Sequence, residues 1–232
     1  MVVEAVLASI TVDHSDLEER VYDVLRQEIL NRTLVPGAVL TIRQVAAALG
    51  VSPTPVRDAL RRLQAEALVR DRGRLGAEVV GLSANDIVDL FGTRTALETY
   101  AAGIAARHCP PSLIETIGVI ARQFPDTFEG NHYTDYERFA ALDAEFHHLI
   151  IEAAKNARLL QMYRTLHVHI HLARIYQREI EQRAQANHRE HLAIVEALTA
   201  GHPEEMTRAV TMHIENVRDH ILQRMGPGNV VI

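Results

Sequence analysis

The 232-residue chain is long enough for two domains, and 47% hydrophobic and 23% charged residues are ordinary for a soluble globular protein. The single cysteine, Cys109, excludes an intrachain disulfide framework and a zinc site built from cysteines. The net charge is −6, no run approaches the ~20 apolar residues that span a bilayer, and no basic segment opens the chain like a secretory signal. We therefore expect a cytoplasmic protein that has no membrane partner.

The first predicted helix begins near Leu17, after a tail at residues 1–15, because its apolar residues recur at helical spacing. The turn sequence L-V-P-G at 34–37 follows it. Thr41 then opens T-I-R-Q, the pattern of a capping box in which Gln44 is the reciprocal residue. The second helix therefore starts at Thr41, and it is expected to end at Gly50.

A third helix is predicted directly after that glycine, with Ser52 as its N-cap and Pro53 at its first helical position. Two helices joined by a glycine-containing turn are typical of a helix-turn-helix. The next stretch, L-V-R-D-R-G-R-L-G-A-E-V-V, predicts two short strands around a glycine-rich tip, which is a wing. Residues 41–76 also carry seven arginines against three acidic residues, a local basic surface suited to DNA. Residues 16–80 are therefore predicted to be a winged helix-turn-helix.

The remainder of the chain is predicted to be helical. After a hinge at residues 81–83, proline, glycine and asparagine interrupt the helical spacing and no alternation typical of strands is present. The predicted helices cover roughly 84–108, 112–122, 134–155, 158–182, 185–200 and 203–225. The expected fold class is thus mainly α, with an all-α bundle over residues 84–226 and a tail at 227–232.

Four residues of this bundle form a candidate metal site. Asp143 and His147 lie at i,i+4 spacing and share one helix face, while His191 and His213 belong to two later helices. Imidazole nitrogens and one carboxylate suit zinc and its first-row neighbours. The chain has 13 histidines, however, so that the spacing alone is also compatible with ordinary polar residues on helix faces.

A second histidine group offers an alternative. His167, His169 and His171 alternate in H-V-H-I-H, and on a helix His167 and His171 share a face. These side chains could bind a metal, but the interpretation that we favour is that they line a cavity or lie on the surface.

Several motifs together resemble a known family. They are L-V-P-G-x-V-L-x-I-R-Q-V-A-x-x-L-G-V-S-x-x-P-V-R-x-A-L-x-x-L at 34–63, D-x-x-D-L-F-x-x-R-x-A-L-E at 86–98, D-x-E-F-H at 143–147, E-H-x-x-I at 190–194 and M-H-I at 212–214. Their order and spacing resemble the GntR family of bacterial transcription regulators, in the FadR-type branch that has an FCD effector domain. The resemblance covers about residues 17–225 and implies a homodimer on a near-palindromic double-stranded operator.

The resemblance also implies which residues contact DNA. The second helix of the helix-turn-helix would enter the major groove and the wing would reach the adjacent minor groove. Arginine can present two donors to a guanine edge, and hydroxyls at a helix start suit phosphate oxygens. The implied residues are Arg43, Ser52, Thr54, Arg57 and Gly73. Arg72 and Arg74, which lie on the predicted wing, would add contacts to the DNA backbone or the minor groove. Pro53 departs from the family pattern, since some members have arginine there, and this leaves the operator sequence open.

For the bundle, the resemblance implies that Asp143, His147, His191 and His213 hold a divalent metal, with zinc expected first and nickel or manganese as alternatives. It further implies a small organic acid or sugar acid as effector. Arg94 would bind the anionic group, although an ion pair with Glu98 one turn away is an equal alternative, and Arg174 is a second candidate.

Two other functions remain open at this point. One is a metal-dependent hydrolase, which would need a general base. Glu145 is close in sequence, but it lies two residues from both Asp143 and His147 and so points off their face. The other is a regulator in which the metal is purely structural.

Overall fold

The computed structural model describes Leu7 and residues 17–73, 76–175 and 183–225, with the backbone alone from 167 to 175. The chain forms two compact units, one ending at Ser83 and the other beginning at Ala84. The predicted fold class is confirmed, because a helix-turn-helix with a short sheet comes first and a helical unit follows it. No helix among the described residues is long and apolar enough to cross a membrane.

Between residues 17 and 83, leaving out positions 74 and 75, the N-terminal unit contains three helices and a three-stranded antiparallel sheet. Its elements are α1 (Leu17–Leu30), β1 (Val39–Leu40), α2 (Ile42–Leu49), α3 (Pro53–Ala65), β2 (Val69–Asp71) and β3 (Ala77–Val79). Strand β3 lies between the other two, pairing Val39 with Glu78 on one side and Val69 with Val79 on the other. The wing is therefore anchored to the segment that leads into α2.

The two predicted helix caps differ in outcome. Thr41 caps α2 by accepting the Gln44 N–H at 3.2 Å, but the Gln44 side chain returns to the Thr41 hydroxyl, at 2.7 Å, instead of its backbone N–H. Ser52 occupies the N-cap of α3 without a side-chain cap hydrogen bond. The reason lies in the sequence, because Pro53 and Pro55 remove the N–H groups of the first and third helical positions.

The described part of the C-terminal unit, residues 84–175 and 183–225, contains six helices. They are α4 (Ala84–His108), α5 (Pro111–Gln123), α6 (Tyr136–Ala153), α7 (Ala157–Ile175), α8 (Ala184–Ala200) and α9 (Pro203–Met225). The predicted helix over 158–182 agrees with α7 up to Ile175, and its last seven residues lie outside the described part of the chain.

The prediction that this unit contains only helices was wrong in detail, because it also contains a short hairpin. A 3₁₀ turn (Phe124–Thr127) follows α5, and β4 (Phe128–Glu129) then pairs with β5 (His132–Tyr133) in a short antiparallel hairpin. Gly130, at φ +58°, lies in the turn of this hairpin. Strands of two residues are too short to produce the hydropathy alternation by which a sequence predicts them.

Helix α4 is the axis of the C-terminal unit, since it packs against α6, α7, α8 and α9. Buried alanines in its second half, at positions 101, 102, 105 and 106, present little bulk to the neighbouring helices. The buried face of α9 includes Val210, Ile214, Val217 and Ile221. Small residues on one helix and branched ones on the other allow the two helices to pack closely.

The wing supplies a stability prediction. A Cβ at Gly76 would lie 2.4 Å from the Leu40 carbonyl oxygen, and φ is +95°, whereas a Cβ at Gly73 meets nothing within 4 Å at φ +60°. Gly73→Ala should therefore cost only the left-handed backbone penalty, about 1 kcal/mol, and Gly76→Ala should cost roughly 3 kcal/mol. Thermal unfolding monitored by circular dichroism tests this order, and equal losses from both substitutions would contradict it.

Candidate metal centre and nucleic-acid interface

The four candidate metal ligands meet in the core of the C-terminal unit. Asp143 and His147 lie one turn apart on α6, His191 is on α8 and His213 is on α9, and all four are buried. One ligand atom of each residue can be chosen so that all lie within 4.8 Å of one another. Three helices therefore bring together residues that are 70 positions apart at the extremes.

Two carboxylates orient two of the imidazoles. His147 Nδ1 lies 2.6 Å from Glu98 Oε2, and His213 Nδ1 lies 2.9 Å from Glu190 Oε2. An ionised carboxylate can only accept, so that each Nδ1 carries the proton and each Nε2 presents its lone pair on the opposite side of the ring. Neither Nε2 has a hydrogen-bond partner among the described residues. Carboxylate–histidine pairs of this type are the usual outer partners of metal ligands.

His191 is positioned differently. Its ring stacks on Phe124 with a centroid distance of 4.4 Å and an interplanar angle of 13°. Its Nε2 lies 3.0 Å from Asp143 Oδ1, across the interface between α8 and α6. The aromatic contact comes from the 3₁₀ turn, which thus has a direct part in shaping the centre.

Burial and neighbouring charges set the ionisation of the centre. Burial favours the neutral acid of Glu98, but the charges and hydrogen bonds of Arg94 and His147 together outweigh it and lower the pKa of Glu98 to about 2. Burial, reinforced by the nearby His191, lowers the pKa of His213 to about 3. Burial also lowers the pKa of His147 in spite of the Glu98 charge. Neutral imidazoles beside ionised carboxylates are the protonation states in which these groups bind metals.

The dimensions of the centre suit a first-row ion. Bonds of roughly 2.0–2.2 Å from a metal place ligand atoms at most about 4.4 Å apart. The observed limit of 4.8 Å needs side-chain shifts of only a few tenths of an ångström. The unpartnered, buried Nε2 atoms of His147 and His213 are the donors that such an ion would use. The residues present therefore fit a divalent metal with nitrogen and oxygen ligands.

The ion pair with Glu98, one of the two alternatives that the sequence left open for Arg94, is present in the structure. Arg94 Nε donates to Glu98 Oε1 at 2.6 Å, in an ion pair whose side chains are both 0% exposed. Its Nη1 and Nη2 are also buried, but they have no hydrogen-bond partner among the described residues. One edge of the guanidinium is thus fixed while the terminal nitrogens retain donors for an anion. The side chains of Arg174, His167, His169 and His171 lie outside the described residues.

The N-terminal unit separates its arginines into paired and unpaired groups. Arg61 lies 3.1 Å from Asp58, while Arg62 pairs with Glu19 and its Cζ lies 3.8 Å from the centroid of the Tyr22 ring. Both guanidinium groups therefore have partners within the unit, and a contact with DNA is not needed to account for their positions.

The predicted DNA-contacting residues show a different pattern. Arg43, Ser52, Thr54, Arg57 and Gly73 are all exposed. Neither Arg43 nor Arg57 forms an ion pair with any residue that the structure describes, so both remain available to a nucleic acid.

The wing arginines are partly engaged. Arg72 Nε lies 2.8 Å from Glu78, which also pairs with Arg70, so that the Arg72 guanidinium is held on the wing while its side chain remains 47% exposed. Gly73 donates its N–H to Asp71 at 2.8 Å, which fixes the tip. Arg74 lies outside the described residues.

Sequence reasoning missed the orienting carboxylates. The sequence predicts Glu98 only as a partner of Arg94, and it predicts no role at the centre for Glu190. The hydrogen bonds to His147 and His213 span 49 and 23 positions, so that no periodic spacing indicates them. The one available clue for Glu190 was its place directly before His191 in the motif E-H-x-x-I.

Comparison with known proteins agrees with this architecture. Residues 89–216 match the FCD domain family, and residues 17–79 match the family of bacterial regulatory proteins called gntR. The structure of E. coli McbR/YncC resembles the chain with a TM-score of 0.73 at 21% identity, covering 90% of this chain and 99% of that one, and thus shares the fold.

Two relatives carry names that describe regulation. The "Probable D-xylose utilization operon transcriptional repressor" of Paenarthrobacter nicotinovorans is 33% identical over 196 residues, which are 84% of each protein. The gluconate operon transcriptional repressor of Bacillus licheniformis is 27% identical over 147 residues, 63% of this chain and 59% of that protein. The chain therefore belongs to the GntR family and is a DNA-binding transcriptional regulator with a C-terminal FCD domain.

Proposed function

We propose that this regulator binds one divalent metal ion through Asp143, His147, His191 and His213, and that a small carboxylate ligand binds beside the ion and changes the affinity for operator DNA. One observation carries the proposal. Four buried ligand atoms lie within 4.8 Å of one another, and the Nε2 atoms of two imidazoles have no hydrogen-bond partner among the described residues. Buried polar atoms are nearly always paired, so that these nitrogens favour a ligand at the centre.

Zinc is the first candidate, and nickel or manganese suits the same donors. Four protein ligands leave one or two positions of an octahedral ion for a water or a carboxylate oxygen. A bound ion would supply positive charge that attracts and orients such a carboxylate. The chain itself would orient the ligands, because Glu98 and Glu190 hold the imidazoles of His147 and His213 in the tautomer that binds a metal through Nε2.

Arg94 is the proposed anchor for the anionic group of the effector. The Nη1 and Nη2 atoms are buried donors, and a guanidinium can bind a carboxylate through two parallel hydrogen bonds. Arg174 is proposed as a second contact on the basis of the sequence alone. The name of the gluconate operon repressor supports a sugar acid or a related organic acid as the class of effector.

The two alternatives have less support. A hydrolase needs a general base beside a metal-bound water, but Glu145 is exposed on α6 whereas Asp143 and His147 are buried on its other face. A purely structural metal remains the second candidate, because an ion joining α6, α8 and α9 would stabilise their packing. Chelation would then lower the melting temperature and leave the response to carboxylates unaffected.

For DNA, we propose that Arg43, Ser52, Thr54 and Arg57 contact the major groove or its phosphates, and that the wing contributes Arg72, Gly73 and Arg74. The unpaired state of Arg43 and Arg57 among the described residues supports this assignment. With Pro53 and Pro55 lacking N–H groups, the Thr54 N–H is the backbone donor left among the first three positions of α3. A homodimer would place two such units on a near-palindromic operator.

Two arginines on α3 form a matched test of the DNA contacts. Arg57→Ala should weaken binding to a duplex selected from a random pool by the wild-type protein, by about 10- to 100-fold, because one good guanidinium–base contact contributes about 1–3 kcal/mol. Arg61→Ala, which removes a guanidinium paired with Asp58, should change affinity by about twofold or less. Fluorescence anisotropy at fixed salt measures both dissociation constants, and equal losses would contradict the assignment.

The metal site is tested by elemental analysis. The wild-type protein should carry about one zinc, nickel or manganese ion per chain, and Asp143→Ala/His191→Ala should carry none, since each substitution removes one of four ligands. His202→Ala is the control, because His202 is an exposed histidine beside Glu205 and outside the centre. If wild-type protein reloaded with each metal retains none, the metal site does not exist.

A further inference from the structure

We infer that Glu98 is a bridge through which metal binding at His147 and anion binding at Arg94 strengthen each other. The inference rests on the proposed function, because it takes His147 as a metal ligand and Arg94 as the anchor of a carboxylate. It goes further by assigning Glu98 a role in the regulation of that centre: a positioning residue that contacts neither the metal nor the anion, yet links their affinities.

The geometry of the bridge is compact. Glu98 Oε1 accepts from Arg94 Nε and Glu98 Oε2 accepts from His147 Nδ1, both at 2.6 Å. The three side chains are 0% exposed, so that no solvent screens the contacts. Each oxygen serves a different donor, and one negative charge is therefore shared between the guanidinium and the imidazole.

A metal at His147 Nε2 would strengthen the hydrogen bond between the His147 imidazole and Glu98. A cation bound to one ring nitrogen makes the opposite N–H a stronger donor, and the Glu98 carboxylate then neutralises Arg94 less completely. Arg94 Nη1 and Nη2, which have no hydrogen-bond partner among the described residues, would become better donors to an anion. Metal binding thus favours carboxylate binding.

The reverse effect follows from the same contacts. A carboxylate on Arg94 Nη1 and Nη2 compensates the guanidinium charge and leaves more of the Glu98 charge for His147. A stronger acceptor at Nδ1 raises the electron density at Nε2 and with it the affinity for a metal. Thermodynamic linkage requires the two effects to be equal in magnitude.

Glu190 provides a matched comparison inside the same molecule. It accepts from His213 Nδ1 at 2.9 Å, as Glu98 does from His147, but its other donors are Arg183 at 2.7 Å and Asn216 at 2.8 Å. None of these contacts leads to Arg94. Loss of Glu190 should therefore lower the affinity for the metal without changing the extent to which an anion strengthens metal binding.

The first test uses wild-type protein freed of metal. Acetate, as the probe anion, is titrated while the imidazole nitrogen and Nδ1–H resonances of His147 and His213 are followed by NMR. The bridge predicts a shift for His147 that saturates with acetate, and no such shift for His213. Acetate binding that leaves the His147 resonances unchanged, or shifts both histidines alike, overturns the inference. This test requires no substitution that could unfold the protein and no bound metal.

The second test measures zinc affinity with and without saturating acetate in the wild-type protein, Glu98→Gln and Glu190→Gln. Both substitutions should lower zinc affinity by about 10- to 100-fold, as losses of outer carboxylates do. Acetate should tighten zinc binding similarly in the wild type and Glu190→Gln, and about fivefold less in Glu98→Gln. Equal tightening in all three proteins means direct contact between acetate and zinc alone, and overturns the bridge.

Failure of the metal site and failure of the bridge give different results. Wild-type protein that binds neither zinc, nickel nor manganese refutes the proposed metal site, while the acetate response of His147 in metal-free protein still decides whether Glu98 transmits the anion. Zinc binding without any acetate dependence leaves the metal site intact and overturns the bridge. If Glu98→Gln does not fold, which circular dichroism shows, the wild-type resonances give the answer by themselves.

Discussion

The ion pair between Arg94 and Glu98 is the contact that allows a polar centre to exist inside a helical core. An unpaired charge at that depth costs several kcal/mol, and replacing one partner of a buried pair usually costs more than replacing both. Both side chains are fully buried, and the Glu98 carboxylate also holds the His147 ring. The orientation of His147, a candidate metal ligand, therefore depends on the negative charge of Glu98, which Arg94 stabilises.

Helix α4 has a buried polar segment followed by a buried segment of small apolar residues. Its middle carries Arg94 and Glu98, one turn apart on a single face, and the turns that follow carry the buried alanines that allow close packing. Close packing fixes the height of this polar segment with respect to α6 and α9, because interiors at crystal-like density do not tolerate sliding. The 2.6 Å hydrogen bond from His147 on α6 to Glu98 depends on that height, whereas the 2.6 Å hydrogen bond from Arg94 to Glu98 lies within α4.

The features that repeat at short range were predictable from the sequence. Spacing placed Asp143 and His147 on one face, and Thr41 capped its helix as its motif predicted. Contacts made across the bundle were not, since Glu98 and Glu190 become histidine partners only after α4, α6, α8 and α9 pack. Ser52 shows a local failure, because a prediction from the N-cap residue alone overlooked the missing N–H of Pro55 three positions later.

Regulation requires more than a centre that binds tightly. A ligand with equal affinity for two states of a protein shifts neither, so that the effector must gain contacts in one state that it lacks in the other. Arg94 offers such a contact if the strength with which its Nη atoms donate to an anion depends, through Glu98, on whether the metal is bound. The regulator would then respond to the carboxylate only where the metal is also bound, and the same linkage would make its metal occupancy depend on the effector. Operator release would report on both, a property that a metal confined to a structural role cannot provide.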